Sequence, residues 1–339
     1  MNKARYRCQW SLTATLFVLA VVVGCTEGKE LVEQPDKPLG LEPPRVYVAN
    51  ESSSTISVVD GGTYRVVKEV DTLNHATHDL ALTRDGKRLF ATNLASGRIS
   101  VVDTDSLETI ASLNTGKLCH VVTLTNDNRH AWVANIEDNT VSILDTSLLR
   151  ILGTIPVGKG PMGIAFSRDG HYAFVSNQDK TVAVIDTTSH SIIKKIPVGT
   201  NPHFLTLGPD GSIWGANTGE NSVFIIDAKS QELTSTVEVG PAPQQLAFGY
   251  KGTAGPNAYV TVSGLNKVVV VRADPASLKI LEQIDVGTSP NGIWANPVGT
   301  RLYVGNSGSN DLQVIDTGTS KVIQKIEVGK KPIRVVVSK

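Results

Sequence analysis

An all-β, seven-bladed β-propeller is the fold that the sequence predicts, and three observations predict it. First, an apolar run closed by aspartate recurs: Val58-Val59-Asp60, Val101-Val102-Asp103, Ile143-Leu144-Asp145, Val184-Ile185-Asp186, Ile225-Ile226-Asp227 and Val314-Ile315-Asp316. The aspartates are 43, 42, 41, 41 and 89 residues apart, and the last gap is two periods with Arg272 standing in the intermediate place. Second, each period carries four short runs rich in Val, Ile, Phe, Tyr and Thr between Asp-Gly or Asn-containing turns, which is strand chemistry rather than helix chemistry. Third, the two ends complement one another. The first unit starts at a second strand (45–50), and the chain finishes on an orphan first strand (333–337). Pairing them closes the ring, leaves no open edge there and makes seven blades. A straight stack would instead want atypical capping repeats.

Residues 1–24 read as a targeting segment, with Lys3, Arg5 and Arg7 ahead of an apolar run over 12–23. That run is short for a spanning helix. Val22-Val23-Gly24-Cys25 resembles the lipobox of bacterial lipoproteins, which implies removal of 1–24 and lipidation of Cys25. An ordinary secretory signal is the plainer alternative. By the same resemblance, Thr26 in place of aspartate favours an outer-membrane anchor, so the expected location is the bacterial cell envelope, with the lipid bilayer as a partner through Cys25. Residues 25–43 carry prolines among charges and read as a tether of about 25 Å if it behaves as a coil.

The propeller is expected over 44–339. One unit serves as a template: strands at 162–167, 172–177, 181–185 and 191–197, with turns between them. Units are joined by a recurring phrase, Gly158-x-x-Pro161, Gly199-x-x-Pro202, Gly240-x-x-Pro243, Gly287-x-x-Pro290 and Gly329-x-x-Pro332. Glycine there is expected to supply positive φ, and proline to fix φ before each innermost strand. Together with the tetrapeptides ending at Asn50, Asn93, Asn135, Asn177 and Asn306, this phrase resembles the YVTN family of β-propeller repeat proteins. The resemblance implies the fold and says little of function, because propellers host unrelated activities. The repeated aspartates read as turn caps, not acids of an active site.

Composition narrows the function classes. Without residues 1–24 the chain holds 29 basic and 32 acidic residues, which argues against nucleic acid as a partner. Cys8 is lost with the segment and Cys25 is the lipidated residue, so Cys119 has no partner for a disulfide. A monomer is expected. Motifs for a serine hydrolase, a zinc protease, a phosphate loop or a dinucleotide site are absent, so no catalytic residue is assigned.

One constellation stands out. Eight residues before the glycine of the Asp-Gly turn, the units carry His78, His120, Met162, His203, Gln244, Asn291 and Ile333. Closure of the ring would gather these side chains at one mouth of the central channel, with His75 nearby and Arg334 beside Ile333. Gln244, Asn291 and Arg334 read as channel-mouth polar groups. Short polar residues that satisfy backbone groups explain the set in one reading. A metal or haem site explains it in another, since neutral imidazole and thioether are ligands for transition metals. His78 and His203 are also similar in placement to ligands of haem-d1 propellers such as periplasmic nitrite reductase, which implies haem d1 as a cofactor; those propellers have eight blades, and no Cys-x-x-Cys-His is present for c-type haem. Trp132, Trp214 and Trp294 are expected to wedge between blades, with lining of the channel the alternative for Trp294, which lies on an inner strand. The expected activity is that of a non-catalytic binding or interaction scaffold, with an envelope protein or a cytochrome as partner. The alternative is a haem-d1-type or transition-metal accessory protein of respiratory or cofactor metabolism.

Overall fold

Seven four-stranded antiparallel sheets follow one another along the chain, as the period predicts. The computed structural model describes residues 43–252 and 255–339, within the compact unit Pro43–Lys339. The expected signal segment, Cys25 and the tether up to residue 42 lie outside the described residues. Among the described residues the only helical element is one 3-10 turn, Leu94–Ser96, and no helix is long and apolar enough to cross a membrane.

Blade 1 contains both ends of the unit. Its inner strand is Pro332–Val337, which pairs antiparallel with Arg45–Asn50; Thr55–Asp60 and Arg65–Asp71 follow outward. Blades 2 to 7 then begin with inner strands Thr77–Leu82, Cys119–Leu124, Pro161–Phe166, Pro202–Leu207, Pro243–Tyr250 and Pro290–Ala295. The ring is thus closed by the pairing that the chain ends predict.

Side-chain burial follows position in the blade. The second and third strands of each blade are almost wholly buried, because a neighbouring blade covers each face; Val46, Val48, Val58 and Val59 are 0% exposed. The outermost strands are mostly exposed, as in Lys321–Glu327, where Ile326 alone is buried. Large aromatics fill the wedges between blades. The Trp132 ring meets Phe166 of the next blade edge to face at 5.4 Å, and Trp214 meets Phe248 likewise at 5.5 Å. Burial of each such ring contributes roughly 1.5–3 kcal/mol.

The repeated aspartates do cap turns. Asp60 Oδ1 accepts from the backbone N–H of Gly62 at 3.0 Å and of Thr63 at 2.7 Å, and Asp103, Asp145, Asp186, Asp227 and Asp316 cap in the same way.

The interblade phrase works differently from the expectation. Of its five glycines only Gly240 has positive φ, at 109°. The left-handed residue is instead the one just before the proline or its substitute: Ala76, Leu118, Gly160, Asn201, Ala242, Ser289 and Lys331, with φ between 50° and 63°. Glycine at the head of the phrase has a packing reason. A Cβ on Gly158 would sit 2.7 Å from Cγ of Asn177, and one on Gly287 2.6 Å from Cγ of Asn306. The recurring asparagine lies against the glycine, so the two tokens are one packing unit.

Candidate functional site

Each inner strand reaches the channel through a β-bulge. In blade 2, Thr77 pairs with Asn93 and Leu80 with Ala91, which leaves His78 and Asp79 opposite Thr92 alone. The same shift follows Cys119, Pro161, Pro202, Pro243 and Pro290, and Ile333 is the extra residue in blade 1. Hydroxyls of the second strand stabilise it: the Asp79 N–H donates to Thr92 Oγ1 at 3.0 Å, Gly163 N–H to Ser176 Oγ at 2.8 Å and Gln245 N–H to Thr261 Oγ1 at 3.1 Å. A bulge re-aims side chains, and here it presents two successive residues per blade to the channel.

The first layer brings the three histidines together. The His78 and His120 ring centroids are 4.4 Å apart, and those of His120 and His203 are 5.0 Å apart at 78°. His120 Nδ1 lies 3.0 Å from the Met162 carbonyl, which can only accept, so Nδ1 carries the proton and Nε2 keeps its lone pair. Burial, then the neighbouring His78 and His203, push His120 well below the ordinary imidazole range, against the pull of that carbonyl. Burial and His78 bring His203 down to about 4. Its Nδ1 has no aligned partner, although the Gln244 carbonyl favours the protonated form. Both rings are therefore neutral at pH 7. His78 Nδ1 is 2.9 Å from Glu51 Oε2, and Lys331 Nζ binds the other oxygen at 2.5 Å. Burial would raise the Glu51 carboxyl, but these two partners outweigh it and hold it at about 2.

The second layer closes the channel behind the histidines. Arg334 in blade 1 has its guanidinium 5.1 Å from the ring centroids of both Phe204 in blade 5 and Trp294 in blade 7. Its Nη1 donates to Gln245 Oε1 in blade 6 at 2.9 Å. Its Nε lies 2.9 Å from Asp79 Oδ1 in blade 2, an ion pair by distance whose N–H is not aligned for a hydrogen bond. Asp79 Oδ2 accepts from the Val122 N–H at 2.9 Å. Desolvation raises the Asp79 carboxyl and Arg334 lowers it, with burial the larger influence. One arginine thus bridges four other blades across the channel.

Several expected members sit elsewhere. Arg334 is not a free group at the mouth but a 7% exposed residue paired with Asp79, because a guanidinium taken out of water needs a counter-charge. His75 is exposed, between left-handed Leu73 and Ala76, and joins none of the ring contacts. Met162 is buried, and its thioether accepts from Gln178 Nε2 at 3.6 Å. Gln244 Nε2 donates to the Ala242 carbonyl at 3.1 Å, and Asn291 Nδ2 approaches Gln244 Oε1 at 3.5 Å, so these two satisfy local groups beside the histidines. Asn50, Asn93, Asn135, Asn177, Asn217 and Asn306 are 0% exposed and form no part of the mouth surface. Sequence reasoning missed Glu51, Asp79, Gln245 and Phe204. The signal was an acid, an amide and a base at the residue after the histidine position, where other blades carry Val121, Gly163 and Gly292.

Among the described residues no group of three or more His, Cys, Asp or Glu is arranged to hold a metal ion. The His78 and His120 rings are tilted by 43°, and His120 and His203 stand edge to face at 78°. A haem macrocycle standing in the channel would overlap the Arg334 bridge between Phe204 and Trp294, so the residues there do not fit one.

Comparison with known proteins agrees with the fold. A family model described as YNCE-like beta-propeller matches residues 111–209. No curated protein matches. Among solved structures, hydrazine synthase of Kuenenia stuttgartiensis is similar at 21% identity and TM-score 0.70, over 80% of this chain and 92% of that one. A putative 6-phosphogluconolactonase from Bacteroides fragilis is similar at 14% identity and TM-score 0.76, over 89% and 100%. The dihydro-heme d1 dehydrogenase NirN, in complex with DHE, is similar at 15% identity and TM-score 0.66, over 90% and 78%. The propeller resemblance read from the repeats is borne out, and likeness at these identities carries the fold alone.

Proposed function

We propose that this protein is an envelope-anchored propeller, held by a lipidated Cys25, whose histidine-bearing mouth is a non-catalytic binding surface for another envelope component. The observation that carries the reading is the packing of His78, His120 and His203 at 4.4 and 5.0 Å over a closed floor. A buried neutral ring, a half-buried neutral ring and one ring fixed by Glu51 form a rigid platform whose geometry is already set before a partner arrives, which lowers the ordering cost of binding. No serine, cysteine or lysine nucleophile touches these rings in the hydrogen bonds and ring contacts described, so the platform supports recognition better than group transfer.

The test is affinity for a partner that co-purifies with the full-length protein from its native membrane. His78→Ala and His203→Ala should weaken that complex at least tenfold, and His190→Ala, in the exposed turn between Thr181–Asp186 and Ile192–Pro197, should not. Equal behaviour of all three variants sinks the assignment. A second reading, a transition-metal site assembled at the mouth, is favoured by one observation: Nδ1 of His120 is tied to the Met162 carbonyl, which leaves Nε2 in the tautomer a metal takes. Elemental analysis and absorption spectra of the natively purified protein decide between the two readings.

A further inference from the structure

The channel has a second chamber, on the face away from the histidines. A cavity of about 570 Å³ opens there, walled by Leu80, Leu82, Val122, Trp294 and Val336 and reaching Arg334. A smaller one of about 200 Å³, lined by Ile164, Phe166 and Leu205, shares Trp294 and Arg334 with it. Such volumes and mostly apolar walls are those of small-molecule sites.

The charged side chains that line the chamber are Arg84, Arg334 and Lys339 against Asp85, beside the hydroxyls of Thr83, Thr123 and Ser338. Arg334 is 7% exposed, and its Nε finds no aligned acceptor although Asp79 lies beside it. Its faces are covered by two rings, its Nη1 by Gln245, and Nη2 has no acceptor among the described residues. At the rim, Arg84 is exposed and has no acidic partner among the described residues. The adjacent Asp85 is occupied, its Oδ1 accepting from Thr83 Oγ1 at 2.6 Å and from the Lys87 N–H at 3.1 Å. Asp79 is turned to Arg334 Nε and the Val122 amide, so it reduces but does not cancel what the guanidinium edge offers.

We propose that this chamber is a binding site for a small organic carboxylate with an apolar body, the body against Leu82, Val122 and Trp294 and the carboxylate directed to arginine. A guanidinium edge between aromatic faces recognises a planar anion better than a point charge does. The site is independent of the histidine mouth, since the Arg334 bridge lies between them.

The experiment uses the full-length protein in lipid nanodiscs, titrated calorimetrically with 2-naphthoate and its amide, with empty nanodiscs subtracted. The expected result is saturable single-site binding of 2-naphthoate, at least tenfold weaker binding of 2-naphthamide, and a twofold to fivefold loss in Arg84→Gln. Ala295→Trp, which fills the chamber, should cost at least tenfold, while His120→Ala stays within twofold. Absence of saturable binding, equal binding of the amide, or full binding by folded Ala295→Trp overturns the proposal. Should Ala295→Trp fail to fold, the indole N–H resonance of Trp294, assigned with Trp294→Phe, must shift on titration of the native chain. An unmoved resonance overturns it equally.

Discussion

Arg334 and Asp79 form a buried ion pair at 2.9 Å between inner strands of adjacent blades, one from each end of the propeller's chain. Neither side chain is more than 9% exposed. Breaking such a pair leaves a charge in the interior, whereas replacing both partners by apolar groups does not. Asp79→Ala is therefore expected to lower unfolding free energy by about 3–5 kcal/mol. The double variant Asp79→Leu with Arg334→Met should recover most of that loss in urea titrations. A double variant as unstable as the single one would show that the two residues act separately.

Glu51 gives a pH dependence that can be isolated. Its carboxyl is held at about 2 against an ordinary 4.5 by His78 and Lys331, despite burial. The folded state thus binds its proton less readily than the unfolded chain. The resulting stability is complete above pH 4.5 and is lost as pH falls toward 2. Wild type should exceed Glu51→Gln by about 3 kcal/mol at neutral pH, with the difference closing across that window. A gap that stays constant from pH 5 to about 2 would exclude the linkage.

His203 acts in a higher window. Its imidazole falls from 6.5 to about 4 on burial, so between those values the unfolded chain takes a proton that the folded chain refuses. Stability present above pH 6.5 is lost as pH drops toward 4, by roughly 2–3 kcal/mol. His203→Phe should flatten that slope in thermal melts without steepening it elsewhere. His120 is displaced in the same direction and should keep part of the slope in that variant.

Two glycine substitutions should part company. A Cβ on Gly292 would lie 2.7 Å from the Ile333 carbonyl oxygen, a backbone atom of the next inner strand that cannot swing away. Gly292→Ala is expected to cost about 1–3 kcal/mol through that overlap. A Cβ on Gly153 meets nothing within 4 Å, and its φ is not left-handed, so Gly153→Ala should be neutral or stabilising by up to about 1 kcal/mol. Denaturation midpoints of the pair check this.

The propeller was legible because its evidence is one-dimensional: the spacing of Asp60 to Asp316, and an orphan strand at 333–337 facing a unit without one at 45–50. The histidine cluster was legible for the same reason, since equivalent positions converge once a ring closes. His75 was misplaced because left-handed residues on both sides direct it to solvent, and backbone sign is not written in residue type. The glycine of the interblade phrase was assigned to φ when its reason is contact with asparagine, a relation between two strands rather than within one turn. The Arg334 bridge was hidden furthest. It depends on how closely the inner strands draw together, and that follows from Gly163 and Gly292, whose missing side chains admit the neighbouring backbone.

The arginine lodged between Phe204 and Trp294 makes this ring a plate rather than a pipe. Whatever settles on either side meets the same guanidinium assembly, held by Phe204, Trp294, Gln245 and Asp79. Two recognition events would then take place back to back, each on its own side of a single planar cation.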